Sequence, residues 1–191
     1  MGYHTDFSGN FLLNKPLDDE TFTFLTKFSN TLRTKRSFPN NKYGIDGEFF
    51  VDGIGYMGQD NDESVINGNQ PPSTQPSLWC QWIPTQDRMG IEWDGGEKFY
   101  EYIDWIKYLI NNFLAPKGYV LNGSVMWNGE DAGDVGTIAI TENIVEILYG
   151  RIVFESREPR VYVPEPVAAT VKAVSKTEPL HHTRRLNLGD K

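Results

Sequence analysis

The sequence predicts an α+β fold: an antiparallel β-meander with two α-helices packed on one face, continued by an extended C-terminal arm. Three observations predict it. Across residues 97–114, Phe99, Tyr102, Ile103, Ile106, Leu109, Ile110 and Phe113 recur at the three-and-four spacing of a helix face. After Gly118 the rhythm becomes two-residue alternation interrupted by turn residues, as in consecutive antiparallel strands. Beyond residue 155, prolines at 159, 164, 166 and 179 exclude one continuous helix or a central strand.

Residues 3–13 read as a first strand, with a bulge or short bend expected at Ser8, Gly9 and Asn10. Asp18, Asp19 and Glu20 suit the positive end of a helix over 18–33, whose Phe24, Leu25, Phe28 and Leu32 share one side. The basic residues Arg33, Lys35 and Arg36 suit its C-terminal end. A short strand is expected at 47–51. A loop follows over 53–77, long for a domain interior and of the kind that carries function when ordered.

Strands over 78–83 and 89–93 form a hairpin across Pro84 and Asp87. Helix 2 then spans 97–114 and is stopped by Pro116 and Gly118. The meander comprises 119–129, a turn around Asp131 and Gly133, a strand at 137–140, a turn at Glu142 and Asn143, and a strand over 144–154. These elements define an acidic α+β domain over 1–155 and a Pro-rich basic arm or tail over 156–191.

The chain has 191 residues and a net charge of −8, unevenly placed. Residues 1–150 carry 10 Lys and Arg against 21 Asp and Glu, and residues 151–191 carry 8 against 5. An acidic body lacks the clustered cations that duplex phosphates require, so direct duplex binding by the body is not expected. The single cysteine, Cys80, cannot form an internal disulfide, and its place between two tryptophans predicts a buried, inert thiol. The first residues lack the basic and apolar regions of a signal peptide, and no run approaches 18 apolar residues. The expectation is a cytoplasmic protein without a membrane span.

Motifs for common chemistries are missing: no nucleophile elbow, no phosphate-cradling glycine loop, no Cys-x-x-Cys and no His-Glu-x-x-His. Asp60, Asp62 and Ser64 copy the first ligands of a calcium loop, but Val65 stands where glycine is needed and Pro71 where a bidentate glutamate is needed. The sequence therefore calls for no metal and no cofactor. Glu92 and Asp94 would share a strand face opposite Trp93, with Glu97 close by, an acid group of the kind glycosidases use. His4 and Asp6 share a strand face as a base and its orienting partner.

In a strand over 78–83, Trp79 and Trp82 would face opposite ways, so one of them would lie on the open sheet face. That face, with the 53–77 loop over its end, is the expected site, and the candidate binding residues are Tyr43, Asp46, Glu48, Tyr56, Trp79, Trp82, Glu92, Asp94 and Glu97. The arm offers Arg160, Tyr162, His181, His182, Arg184, Arg185 and Leu186 to a protein partner or a neighbouring subunit.

Several stretches carry a resemblance. Residues 2–9 (GYHTDFSG), 43–49 (YGIDGEF), 75–82 (QPSLWCQW), 91–100 (IEWDGGEKFY) and 118–123 (GYVLNG) are similar to a family of uncharacterised bacteriophage and prophage proteins. The resemblance covers roughly residues 2–154, omits the arm and carries no catalytic residues with it. What it implies is a setting, either the cytoplasm of an infected bacterium or the virion. The expected function is a phage accessory protein that binds a host or phage protein, with interference in host defence as one version. The alternatives are a virion or assembly component laced to neighbours by its arm, as a homo-oligomer, and a small enzyme using the acids at 92–97.

Overall fold

A computed structural model describes residues 2–37 and 63–154 of the chain. The chain divides between Val153 and Phe154, and the sheet and the two α-helices among the described residues belong to the unit Met1–Val153. The expected strand at 47–51 lies outside the described residues.

Six strands form one antiparallel sheet: β1 (Thr5–Leu13), β4 (Trp82–Pro84), β5 (Gly90–Trp93), β6 (Leu121–Gly129), β7 (Val135–Thr141) and β8 (Ile144–Tyr149). Their spatial order is β4-β5-β1-β6-β7-β8, so the first strand lies in the interior of the sheet. The last three strands are the meander read from the sequence. A separate two-stranded ribbon pairs β2 (Lys35–Arg36) with β3 (Val65–Asn67), placing a strand where the sequence predicts only loop.

Register assigns the faces. Phe7 stands opposite Trp127, Phe11 opposite both Gly123 and Ile91, and Leu13 opposite Leu121. Val125 continues the row to Ile138. These residues point to the side where α1 (Asp19–Ser29) and α2 (Tyr102–Leu109) contribute Leu25, Phe28, Trp105 and Ile106 to a single apolar core. Because strand side chains alternate, Asp6, Ser8, Asn10 and Leu12 face the other way and are exposed. Among the described residues, therefore, both helices cover one face and no element covers the other, as expected for α+β.

The bulge expected at residues 8–10 does not form, since β1 and β6 pair in unbroken register from Thr5 to Leu13. Gly9 keeps that register by taking φ +105°, which lets the Ser124 carbonyl come within 2.7 Å of where a Cβ would stand.

Helix α1 ends at Ser29 rather than at 33. The Thr31 hydroxyl donates to the Lys27 carbonyl at 2.7 Å, taking the acceptor that the next helical N–H would need, while the Thr31 N–H turns to Phe28. The basic run is consequently not a solvated helix end. Arg33 is fully buried, its guanidinium 4.0 Å from the centre of the Phe28 ring and its Nε donating to Gln75 Oε1 at 2.9 Å. Arg36 is buried as well and donates to the Ser64 hydroxyl at 3.1 Å.

Helix α2 starts at Tyr102, five residues later than predicted, because Lys98 and Glu101 hold positive φ of 61° and 54°. Past Leu109 the helix widens into a π-helical turn over Ile110–Leu114, tightens into a 3₁₀ turn over Ala115–Lys117, and ends on left-handed Gly118. The strand expected at 78–83 shrinks to β4, and the last strand stops at Tyr149 rather than at 154.

Candidate functional site

The structure does not place Trp82 on the open sheet face. Trp79 precedes β4 and is half-buried, so strand alternation does not apply to it. Trp82 points into the core and is almost completely buried, its indole N–H donating to the Tyr102 carbonyl at 2.8 Å. Trp93 shares that inner face and donates to Gln81 Oε1 at 3.1 Å, while the same amide's Nε2 donates to the Glu97 carbonyl at 2.9 Å. Trp105 gives its N–H to Ser77 Oγ at 2.7 Å. Trp82 and Trp105 are core residues and Trp93 packs against the core, all three with satisfied donors.

The acids are arranged differently from the expectation too. Glu92 pairs with Ile83 and lies on the outer face of β5. The strand ends at Trp93, so Asp94 is not its face-mate. Asp94 accepts the Gly96 N–H on Oδ1 at 2.7 Å, closing the Gly95–Gly96 turn. Lost hydration pushes the Asp94 carboxyl above its ordinary value, against the opposing pull of that bond. Glu97 is exposed beyond the turn. None of the three lines the hollow beside α1 or the smaller one at the start of α2. Among the described residues no group of three or more His, Cys, Asp or Glu is placed to hold a metal ion. Tyr43, Asp46, Glu48 and Tyr56 lie outside the described residues, as do Asp60 and Asp62 of the calcium-like loop. The arm residues Arg160, Tyr162, His181, His182, Arg184, Arg185 and Leu186 lie outside them as well.

The His4–Asp6 pair does form, with Nε2 and Oδ1 3.1 Å apart. The His4 backbone is pinned by Glu130, whose carboxylate accepts the His4 N–H at 3.0 Å and whose N–H donates to the His4 carbonyl. His4 Nδ1 is buried and meets no polar partner among the described residues, so the nitrogen left for proton transfer is shut away from solvent. Next to it, the Tyr3 hydroxyl donates to Asp134 Oδ2 at 2.6 Å, and Trp127 Nε1 donates to Asp134 Oδ1 at 3.0 Å. The hydrogen bond to Asp134 raises the Tyr3 phenol above its ordinary value, and burial pushes the Tyr102 phenol up to about 12. This corner fastens the start of β1 to the β6–β7 connection.

Cys80 is fully buried, and burial pushes its thiol up to about 12. At that value the thiolate is scarce near neutral pH, so Cys80 does not present a nucleophile.

A hollow opens elsewhere among the described residues, between α1 and the turns that end α2. It encloses about 800 Å³ and is lined by Asp19, Glu20, Thr21, Thr23, Phe24 and Lys27 from one side and Asn112, Phe113, Pro116 and Lys117 from the other. Phe24 and Phe113 meet edge to face at 5.0 Å and form its floor. Lys117 is steadied by a 3.0 Å hydrogen bond to Thr21 Oγ1, and Lys27 lies in the last turn of α1, three residues after Phe24. Of the two acids, Asp19 is engaged by Arg88, whose guanidinium also lies 4.7 Å from the Phe22 ring centre. An aromatic floor with ammonium groups at its rim suits an apolar side chain beside a carboxylate.

Sequence reasoning missed this groove because its walls lie some 90 positions apart. The π-helical turn that presents Phe113 and Asn112 interrupts no apolar spacing. Compared with protein-family models, curated proteins and solved structures, the chain has no match.

Proposed function

We propose that the chain is an accessory binding protein of phage origin that docks onto a host or phage protein through the groove between α1 and the end of α2. The observation that supports this most is the groove itself. Its volume of about 800 Å³ falls within the range of roughly 300–1,000 Å³ of sites that bury most of a ligand. Phe24 and Phe113 offer apolar contact, and Lys27 and Lys117 select a segment carrying an apolar side chain next to Asp, Glu or a terminal carboxylate. The phage setting rests on the sequence resemblance, and interference with host defence is the version that this setting favours.

The test is capture of the tagged chain from infected cells, with bound proteins identified by mass spectrometry, for the wild type and for a Lys27→Glu, Lys117→Glu double variant. Reversing both rim charges should weaken the captured complex at least about tenfold, the scale of paired rim and pocket charges. A partner held equally well by the variant would refute the groove as the docking site.

A second reading is a virion or assembly component, favoured by the opposite charges of the acidic body and the basic arm. Presence of the chain in purified particles, with no soluble partner captured, would favour it over the first.

A further inference from the structure

We infer that the chain self-associates through β8, two copies pairing antiparallel across a two-fold axis so that their sheets become one. The two edges of the sheet differ in kind. The β4 edge is three residues long and contains Pro84, which has no N–H to offer. Its Trp82 carbonyl is already taken by the Ser29 hydroxyl of α1 at 2.8 Å. The β8 edge has six residues, Ile144–Tyr149, with no proline, no lysine and no bulge, and among the described residues no strand lies beyond it. Natural edges are normally blunted by such devices; the one charge on this edge, Glu146, lies on the outer face, and the rest of the edge is a template for another strand.

The phase of the β7–β8 ladder identifies the groups on offer. Glu142 and Asn143 both take positive φ, 50° and 67°, making a two-residue turn closed by the Thr141–Ile144 pair. Hydrogen bonding to β7 then falls on Ile144, Glu146 and Leu148, and the Gly150 N–H continues that phase by donating to Val135 at 2.8 Å. Val145, Ile147 and Tyr149 are left with their N–H and C=O groups directed away from the sheet. Their side chains belong to the inner face, where Val145 and Ile147 are only partly covered by the core and Tyr149 is 81% exposed. On the other face Ile144 and Leu148 are exposed as well.

A second copy is the occupant that matches this edge. With the opposite edge blocked, self-pairing closes at two chains and does not propagate into a filament. Charge selects the register. Centring the two-fold on Glu146 would set that carboxylate against its own copy. Centring it on Ile147 lets Ile147 exchange both hydrogen bonds with its copy and Val145 with Tyr149 of the second chain. Glu146 then stands opposite Leu148 of the second chain, away from its like charge. Aromatic and β-branched pairs, Tyr149 with Val145 and Ile147 with itself, fill the inner row.

The register makes a specific experiment available with the full chain. Leu148→Glu places acid opposite acid at two symmetry-related points, and Glu146→Lys combined with Leu148→Glu converts both into ion pairs. Both positions are exposed, so the fold should be unaffected, which circular dichroism melts will verify. Sedimentation velocity should find the wild type as a dimer, L148E shifted at least about tenfold toward monomer, and the E146K/L148E variant dimeric again. A monomeric wild type, an L148E that stays dimeric, or a double variant that fails to recover would each overturn the proposal.

Discussion

Asp18 concentrates several roles in one carboxylate. Its Oδ1 accepts the Thr21 N–H at 2.7 Å, capping α1, while Oδ2 accepts the Tyr119 hydroxyl at 3.0 Å and so ties the helix start to the entry of β6. The Thr21 N–H, then the Thr21 and Tyr119 hydroxyls, bring its carboxyl down from 3.8 to about 2. The folded value lies below the unfolded one, so the contribution is complete above the unfolded value and disappears as pH falls toward the folded one. Thermal unfolding followed from about pH 5 down to about pH 2 should therefore show a decline across this window that flattens in Asp18→Asn. The amide oxygen of that variant still caps α1 but does not titrate. An equally steep decline in the variant would assign the acid sensitivity to other carboxylates.

At the scale of elements, packing decided what spacing alone could not. The periodicity across 97–114 announces a helix, yet Lys98 and Glu101 in left-handed conformations delay its start and the π-helical turn changes its end. Neither feature breaks the apolar spacing, so local spacing says nothing about them. The meander was legible because alternation and turn residues are local. The interior position of β1 was not, since it arises from pairing with partners about 80 and 115 positions away. The expected site was partly misplaced for the same reason. Trp82 has the composition of a binding residue, but register turns it toward the helices.

The β6–β7 pair shows how tight that register is. Gly136 stands opposite Trp127, and a Cβ there would overlap the indole ring and approach the Leu148 carbonyl to 2.6 Å. Gly136→Val should therefore cost roughly 2–4 kcal/mol, since the displaced indole also gives up its bond to Asp134. Urea unfolding gives the number, and a loss under about 0.5 kcal/mol would mean the strands slide apart without penalty.

For the whole molecule, the question is where the folding unit ends. The last described residue packed against the apolar core, Ile147, comes from β8, and the sheet closes with the Gly150 N–H on Val135. Ile152, Val153 and Phe154 are exposed, so burial falls away before the charge balance turns basic. A chain shortened to residues 1–155 should accordingly melt within about 2 °C of the full-length protein, because a contribution near 1 kcal/mol would already move the midpoint several degrees. A drop of about 10 °C would place part of the folding unit beyond residue 155. The same truncation separates the two functional readings. Docking through the groove needs only α1 and the end of α2, so the shortened chain should still capture a soluble partner. Lacing onto acidic neighbours needs the basic arm, so incorporation into particles should be lost while the melting temperature is unchanged. A truncated chain that melts normally, enters particles and captures nothing soluble would contradict both readings at once.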